Sequence, residues 1–291
     1  MLVSDDIERV RRLVAVVAEA DGENPLNEDA MLALSDAADP VVDHGPPFPP
    51  GYPVVRHYLI EHYGELVGYA QANVRHGTAQ LLVHPAHRRR HVGSTLLRDV
   101  GDLAVWAFGD LPAAQGFAAH HRLAGRRRLL VMERPLDPPS GAAFDGVRPF
   151  ELAADADQLL ALNAAAFDWH PEQRHFSRTD LDARMAEPWF DPDGLLVSTD
   201  AEGLTGFHWT KRHPDGRGEV YILATHPRAQ GTGLGRRLLA AGLEHLAATG
   251  STTVHLYVEA SNARAVELYE RAGFAVVHRD VLYGPDPQEQ R

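Results

Sequence analysis

Apolar and polar residues alternate most clearly in the second half of the chain, where the period of the pattern changes several times. Apolar residues spaced three to four apart predict helices at 155–166, 179–187, 234–248 and 263–271. Short apolar or alternating runs predict strands at 195–198, 204–210, 219–225, 254–258 and 274–281. The final order of strand, helix, strand, helix and strand requires crossover connections. The pattern therefore predicts an α/β fold with a mixed (α+β) sheet covered by helices.

A repeat links the two halves of the chain. The segment Leu82-Val83-His84-Pro85 aligns with Ala224-Thr225-His226-Pro227 at an offset of 142 (224 minus 82), and 88–97 then aligns without a gap with 230–239. Each copy has the pattern of an apolar strand, a His-Pro turn, a loop and a helix. Because this offset is a domain length, far above the 20–50 residues of a solenoid repeat, the sequence predicts a duplicated domain.

Length and turn-forming residues place the boundary between the copies. A chain of 291 residues is long enough for two domains. Proline, glycine and other turn formers are concentrated at 136–141, without apolar periodicity. We therefore expect an N-terminal domain at 1–137, a linker at 138–144 and a C-terminal domain at 145–291.

Composition narrows the class of protein. Hydrophobic residues make up 44% and charged residues 23%, which is typical of a globular chain. The 40 acidic residues outnumber the 28 basic ones, so we expect no nucleic-acid partner. Cysteine is absent, which excludes disulfides and thiolate zinc sites. No apolar run has the length of a membrane span and the acidic start does not resemble a signal peptide, so we expect no membrane association and a cytoplasmic protein.

Histidine is abundant, with 17 copies, which raises the question of a metal site. The candidate pairs are His170 with His175 and His208 with His213. Neither pair has the His-Glu-x-x-His spacing that places two imidazoles on one face of a helix. We therefore expect no metal.

The segment Gln230-Gly231-Thr232-Gly233-Leu234-Gly235 lies between a predicted strand and a predicted helix. Glycines let a backbone approach a ligand closely, and amides at a helix N-terminus bind a pyrophosphate. A dinucleotide-binding domain would need this loop after its first strand and an acidic residue about 20 positions later. A triphosphate site would need Gly-Lys-Ser or Gly-Lys-Thr. Both alternatives are therefore disfavoured.

A second block, Asn262 to Phe274, has a helix cap at Ser261, Tyr269 within the helix and a helix-terminating glycine at Gly273. Together with the loop at 230–235, it resembles the GNAT superfamily of acetyl-CoA-dependent N-acetyltransferases. The resemblance implies two tandem GNAT acyltransferase domains and acetyl-CoA as the acyl donor.

A narrower resemblance, to the family of mycothiol synthases, lies in the strings at 170–173, 206–211, 213–215, 218–221 and 256–259. Those enzymes acetylate the cysteinyl amine of cysteinyl-glucosaminyl-inositol. The resemblance implies a small-molecule thiol glycoside as acceptor and a monomeric enzyme. A GNAT enzyme for another amino sugar, antibiotic or peptide amine, and a non-catalytic acetyl-CoA-binding module, are the alternatives.

The resemblance also implies which residues contact acetyl-CoA. In the second half they are Leu223, Ala224, Thr225, Gln230, Gly231, Thr232, Gly233, Leu234, Gly235, Arg236, Asn262, Ala263, Arg264, Ala265, Val266 and Glu267. In the first half the aligned residues are Leu81, Leu82, Val83, Arg88, Arg89, Arg90, His91, Val92 and Gly93.

Catalytic roles are implied for Glu219 and Tyr269. A cysteinyl amine with a pKa near 8 is largely cationic at neutral pH, so a base is useful. Because an ordinary carboxylate is a weak base, we expect burial to raise the pKa of Glu219 or a water to relay the proton. Tyr269 would protonate the leaving thiolate. With ordinary pKa values this transfer is uphill by about 2 kcal/mol.

For the acceptor, the resemblance implies contacts with Glu28 of the first half and with Glu172, Lys211, Glu219 and Tyr257 of the second. Acidic side chains suit the hydroxyls and the ammonium group of such a substrate. Glu28 requires the first domain to border the active cleft.

The first half departs from the pattern of the second half, and it has no clear counterpart of Tyr269 in 111–122. His91 aligns with Gly233, and Gly77 aligns with Glu219. A side chain at 91 would crowd the pyrophosphate or force a costly positive φ. We therefore expect a catalytically silent first domain that acts as a scaffold and can still hold acetyl-CoA.

Overall fold

The computed structural model describes residues 4–34, 55–170 and 176–285. Its first elements in chain order are α1 (Ser4–Asp21), α2 (Glu28–Ala33), β1 (Val55–His62), β2 (Glu65–Asn73), β3 (Thr78–Val83), α3 (Val92–Val100), β4 (Ala104–Ala107), α4 (Pro112–His120) and β5 (Leu123–Pro135). Its later elements are β6 (Val147–Pro149), α5 (Leu152–Ala166), α6 (Arg178–Met185), β7 (Leu195–Asp200), β8 (Gly203–Arg212), β9 (Gly218–Thr225), α7 (Leu234–Ala248), β10 (Thr253–Glu259), α8 (Ala263–Arg271) and β11 (Ala275–Pro285).

The chain forms two compact units, and their boundaries differ from the predicted domain boundaries. Unit 1 comprises residues 1–128 and 278–291, and unit 2 comprises 129–277. The reason is strand pairing. The end of β11 pairs with β4 in unit 1, and the end of β5 pairs with β10 in unit 2. Periodicity finds a strand but does not show which strand it pairs with, so a cut at 137–145 separates both strands from their partners.

In unit 1 the strands follow the order β1, β2, β3, β4 and β11. Antiparallel pairing joins β1 to β2, β2 to β3 and β4 to β11, whereas β3 and β4 are parallel. One face of the sheet packs on the apolar stripe of α1, which buries Val10, Leu13 and Val17 against Tyr69 and Leu82. This packing positions the end of β3, which leads toward the loop at 88–93. That loop is the counterpart in unit 1 of the glycine loop at 230–235.

In unit 2 the strands follow the order β5, β10, β9, β8, β7 and β6. Parallel pairing joins β10 to β9, and the other neighbours are antiparallel. One core cluster packs Leu159 of α5 and Leu181 of α6 on the strands around Trp209. A second cluster packs Leu239 of α7 and Tyr269 of α8 on the strands around Leu256. The mixed α/β fold predicted from the sequence is therefore confirmed.

The predicted repeat is visible in local geometry. His84 and His226 each cap a short 3-10 turn, and each imidazole Nδ1 accepts a hydrogen bond of 3.2 Å from the backbone N–H two residues later. The helix that follows begins after a left-handed residue, which is His91 in unit 1 (φ 63°) and Gly233 in unit 2 (φ 83°). Of the two expectations for His91, the positive φ is therefore the one that the structure adopts.

The described residues contain no helix that is both long enough and apolar enough to cross a membrane.

Gly233 and Gly235 allow a matched test of this backbone constraint. Gly233 has a positive φ, whereas Gly235 has no positive φ and a Cβ there would meet Leu268 and Thr225 at an ordinary 3.7 Å. We expect Gly233→Ala to lower the free energy of unfolding by about 1–2 kcal/mol, since an L side chain disfavours that conformation. Gly235→Ala should be neutral or stabilising, because alanine favours a helix. Urea unfolding without ligand measures both, and equal losses would contradict the account.

Candidate active site

Strands β9 and β10 separate at the centre of unit 2. Their parallel ladder joins Gly218 to Val254, Glu219 to His255 and Val220 to Leu256, and it ends there although both strands continue. On its other edge β9 stays paired with β8 as far as Thr225. The backbone of 221–225 therefore faces the gap, where it can hydrogen-bond an extended ligand as an added strand would. We call this gap the fork.

The glycine loop follows the open edge of the fork. Gly231 and Gly233 have φ values of 84° and 83°, and an added Cβ at either would meet no atom within 4 Å. Gly233 caps α7 without a side-chain hydrogen bond, so the first amides of that helix stay available. Alternating backbone conformations of this kind point successive N–H groups at one place and suit an anion.

Helix α8 adjoins the glycine loop. Asn262 caps α8 by accepting a hydrogen bond of 3.2 Å from the N–H of Ala265, so the predicted cap at Ser261 is wrong by one residue. Arg264 donates a hydrogen bond of 2.7 Å to the side chain of Gln230. Leu268 approaches the position of Gly235. The structure thus brings together the two segments that the sequence analysis assigns to acetyl-CoA, 230–236 and 262–267.

Glu219 lies at the base of the fork in a buried row of charged side chains. Strand register pairs it with Lys211 on β8 and with His255 on β10. It is only 6% exposed. His213 Nε2 lies 2.7 Å from Glu219 Oε2, and His255 Nε2 lies 3.7 Å from the same oxygen. The strand register explains why Lys211 and His255 lie beside Glu219, but it does not explain the position of His213.

A tight connection between β8 and β9 places His213. The N–H of His213 donates to the carbonyl of Arg217 at 2.8 Å, and the N–H of Gly216 donates to the carbonyl of His213 at 2.9 Å. Asp215 accepts hydrogen bonds from the backbone and side chain of Arg217. The turn folds His213 back over the start of β9, so its imidazole reaches the Glu219 carboxylate.

These neighbours set the electrostatics of Glu219. Burial acts to raise the pKa of Glu219, but the hydrogen bond from His213 and the charges of His255 and Lys211 outweigh it, so this pKa lies below its ordinary value. Of the two expectations for Glu219, a pKa raised by burial is wrong in direction, and a proton relay through water stays a prediction. Burial also lowers the pKa of His255, whose Nδ1 is buried without a hydrogen-bond partner.

The three side chains form a cluster in which His213 and Glu219 are hydrogen-bonded and His255 lies 3.7 Å from the same carboxylate oxygen. The nearest ligand-type atoms of His213, Glu219 and His255 all lie within 4.8 Å of one another. The 2.7 Å between His213 and Glu219 is a hydrogen-bond distance and is shorter than the about 3.3 Å that separates two ligands of a tetrahedral zinc ion. His208, the partner that the sequence offered for His213, instead contacts the carbonyl of Leu238. That no metal is used stays a prediction.

Lys211 is buried against aromatic rings. Its Nζ lies 4.6 Å from the ring centre of Trp189 and 5.2 Å from that of Tyr221, and Lys211 is 9% exposed. Such cation–π contacts hold an ammonium group in place while its charge stays available to neighbours.

Tyr269 lies in the core cluster that contains Val220 and Leu256, and its ring packs 5.8 Å from that of Phe274. Burial raises the pKa of the Tyr269 phenol above its ordinary value. Proton transfer from this phenol to a thiolate is therefore more costly than the sequence analysis assumed.

Two of the other three residues assigned to the acceptor, Tyr257 and Glu28, lie among the described residues. Tyr257 is 48% exposed on β10, with its ring 5.7 Å from that of His255. Glu28 opens α2 in unit 1. Glu172 lies outside the described residues, as does His175.

Unit 1 has its own version of the fork, opening into a cavity of about 400 Å³. The β3–β4 ladder ends at Gln80 and Trp106, and 81–83 line the cavity together with Arg88, Arg89 and 91–94. Arg89 and His91 occupy the places of Gly231 and Gly233 and both keep a positive φ, of 62° and 63°. Arg88 forms a two-point ion pair with Asp21, at 2.8 Å for each contact. Gly77 aligns with Glu219 and has no acidic side chain.

Comparisons with known proteins agree with this geometry. The model of the acetyltransferase (GNAT) family matches residues 163–274, and an acetyltransferase (GNAT) domain model matches 53–124. The structure resembles a tandem GNAT protein from the clavulanic acid biosynthesis pathway, with a TM-score of 0.69, 19% identity and 97% of each chain covered. It also resembles a GCN5-related N-acetyltransferase from Sphaerobacter thermophilus, with a TM-score of 0.65, 24% identity, and 97% of this chain and 93% of that chain covered.

Full-length relatives give the narrower family. The mycothiol acetyltransferase of Nocardia farcinica is 42% identical, with 97% of this chain and 95% of the relative covered. That of Mycobacteroides abscessus is 41% identical, with 95% of each covered. The predicted tandem GNAT architecture and N-acetyltransferase activity are thus confirmed, and the chain belongs to the mycothiol acetyltransferase family.

Proposed function

We propose that unit 2 transfers the acetyl group of acetyl-CoA to the cysteinyl amine of cysteinyl-glucosaminyl-inositol, giving mycothiol and CoA. One observation carries the proposal: a buried carboxylate, Glu219, lies at the base of a fork whose open edge leads directly into a glycine loop. The names of the relatives and their identity over nearly the whole chain support the choice of acceptor.

Acetyl-CoA would bind through main-chain groups. Its pantetheine arm would pair with the open edge of β9 at 223–225, as an added strand does. The pyrophosphate would accept hydrogen bonds from amides of 231–236 at the start of α7. This arrangement directs the thioester toward the base of the fork, where backbone N–H groups would polarise its carbonyl.

Glu219 would act as the base. As the nitrogen of the acceptor attacks the thioester carbonyl, the new N–C bond forms and an N–H proton passes to the carboxylate. The ammonium of Lys211 would bind hydroxyl groups of the acceptor, and Tyr257 offers an exposed phenol on the next strand. Glu28 and Glu172 complete the acceptor residues that the family resemblance implies.

Tyr269 would serve the leaving group. Its phenol would donate a hydrogen bond to the departing sulfur and then its proton, so that free CoA leaves as the thiol. Since burial raises the pKa of Tyr269, the hydrogen bond to the sulfur is the larger part of its contribution.

We further propose that unit 1 binds acetyl-CoA without turning it over, and that the enzyme is a cytoplasmic monomer without a nucleic-acid partner. The unit 1 cavity and the retained positive φ values of Arg89 and His91 support binding. The glycine at position 77 supports the absence of turnover in unit 1, because the position aligned with the proposed base Glu219 carries no carboxylate.

Replacing the base tests the activity. The full chain is incubated with acetyl-CoA and a panel of amines that includes cysteinyl-glucosaminyl-inositol, and acetylated product and free CoA are quantified by mass spectrometry. We expect the cysteinyl substrate to be preferred and Glu219→Gln to lower kcat/KM at pH 7 by about 100-fold or more.

Glu202→Gln is the matched control, because Glu202 is an exposed acid of the same unit, and it should retain activity. Acetylation of unrelated amines alone would refute the proposed acceptor. Full activity in Glu219→Gln would refute the proposed base.

Calorimetric titration tests the second binding site. We expect two acetyl-CoA sites of unequal affinity per chain in the wild type, since the two loops differ in backbone strain and charge. Gly233→Glu places a negative charge beside the proposed position of the acetyl-CoA pyrophosphate in unit 2. This variant should bind acetyl-CoA in unit 1 alone and should have no acetyltransferase activity. Two equivalent sites, together with turnover that survives Glu219→Ala, would contradict a silent unit 1.

A further inference from the structure

The contact between His213 and Glu219 has no role in the mechanism above. It joins the proposed base to a residue outside the sheet at 2.7 Å. This distance is that of a charge-assisted hydrogen bond, along which a proton can pass between the two side chains.

Exposure distinguishes His213 from the other members of the cluster. The side chain of Glu219 is 8% exposed and that of His255 is 6% exposed, whereas that of His213 is 25% exposed. A proton held by Glu219 therefore reaches water most directly through the His213 ring. His255 offers no such route, because its Nδ1 is buried and unpaired.

The turn between β8 and β9 holds the imidazole firmly. Hydrogen bonds from and to the backbone of His213 close the turn on Arg217 and Gly216, and Gly216 has a φ of 87°. The His213 ring also lies 4.9 Å from that of His255, at an angle of 40°. The contact with Glu219 is thus part of an ordered hairpin.

A catalytic base that keeps the proton from one turnover cannot accept a proton in the next. Each turnover leaves a proton on Glu219, and Lys211 and His255 face the same carboxylate and favour its ionised form. The proton must therefore leave before the next cycle. Imidazole is suited to this transfer, because it accepts a proton on one nitrogen and releases one from the other near neutral pH.

We propose that His213 is a positioning residue that orients Glu219 and carries its proton to solvent. The proposal rests on Glu219 being the base. The acceptor N–H bond breaks and its proton passes to the carboxylate. The proton then crosses to Nε2 of His213 in its Nδ1–H tautomer, and Nδ1 gives its own proton to water, which restores the carboxylate and leaves an Nε2–H that donates to it. Exchange of the ring protons with water returns the Nδ1–H tautomer before the next cycle.

The charged and titratable groups around this route come from four segments. The groups that face Glu219, His213 or His255 are Lys211 on β8, Asp215 and Arg217 in the turn, Glu133 on β5, and His255 and Tyr257 on β10. All are kept in the experiment, so a change in pH dependence can be assigned to the replaced imidazole.

Two variants separate orientation from proton transfer. His213→Gln keeps a hydrogen-bond donor but cannot carry a proton, whereas His213→Ala removes both functions and leaves space for free imidazole. We expect kcat at pH 7 to fall about 10- to 100-fold in both variants, with little change in KM for the acceptor. Added imidazole should restore part of the activity of His213→Ala alone.

The pH profile gives the second readout. The hydrogen bond from His213 lowers the pKa of Glu219, so its loss raises this pKa. The acidic limb of kcat/KM should therefore move to higher pH in His213→Ala and stay in place in His213→Gln. His245→Gln is the matched control, because His245 pairs with Asp191 at 2.9 Å elsewhere in unit 2, and its profile should match the wild type.

Several results would overturn the proposal. One is an unchanged kcat in both His213 variants, with folding verified by circular dichroism and acetyl-CoA binding. Another is a loss of kcat in His213→Ala that added imidazole does not restore, together with an acidic limb of the kcat/KM profile that stays at its wild-type pH. A third is wild-type activity that a chelator abolishes and zinc restores, because the cluster would then be a metal site. Wild-type turnover of the cysteinyl substrate tests the proposed function independently, and any other preferred amine can replace it in these assays.

Discussion

The separation of two parallel strands is the constraint on which the rest of unit 2 depends. The ladder between β9 and β10 stops after Val220 and Leu256, and the backbone groups of β9 that face the gap beyond that point need another partner. On their other edges β9 stays paired with β8 and β10 with β5. Because Glu219 precedes the last pair of this ladder, the same register that opens the fork also buries a carboxylate at its base.

The two units show how one backbone design tolerates different sequences. Both separate a parallel strand pair and then turn through a His-capped 3-10 turn into a helix. Unit 2 uses glycine where φ is positive, whereas unit 1 places Arg89 and His91 there, at a cost of about 1 kcal/mol or more for each residue. The shape of the loop is retained in unit 1 although the acid at the base of the fork is not.

Local sequence patterns predicted local structure well. Helices α7 and α8 begin and end at the predicted residues, because each has a clear apolar stripe and a capping or glycine signal at its start. The three-residue strand β6 escaped prediction because it is too short to show a period. The pairing of β11 with β4 could not be predicted either, since it joins residues more than 170 positions apart.

The electrostatics of the site could not be predicted without knowledge of the fold. Glu219 and Lys211 could be identified from the sequence. Of the two expectations for Glu219, the raised pKa was wrong, because the fold brings charged neighbours to the buried carboxylate, and the water relay stays a prediction. His255 reaches the carboxylate through the register of β9 and β10, and His213 reaches it through a turn. The sequence drew attention to His213 through its place in the string at 213–215 and through its pairing with His208 as a metal candidate, but neither signal assigned it to Glu219.

A crystal structure of the full chain with bound CoA and the cysteinyl acceptor tests the central claim most directly. The account predicts that the CoA pantetheine pairs with 223–225 of β9 and that its sulfur lies between the Glu219 carboxylate and the Tyr269 phenol, with the acceptor nitrogen nearest Glu219. CoA bound in unit 2 away from the open edge of β9, or an acceptor amine bound only in unit 1, would contradict it.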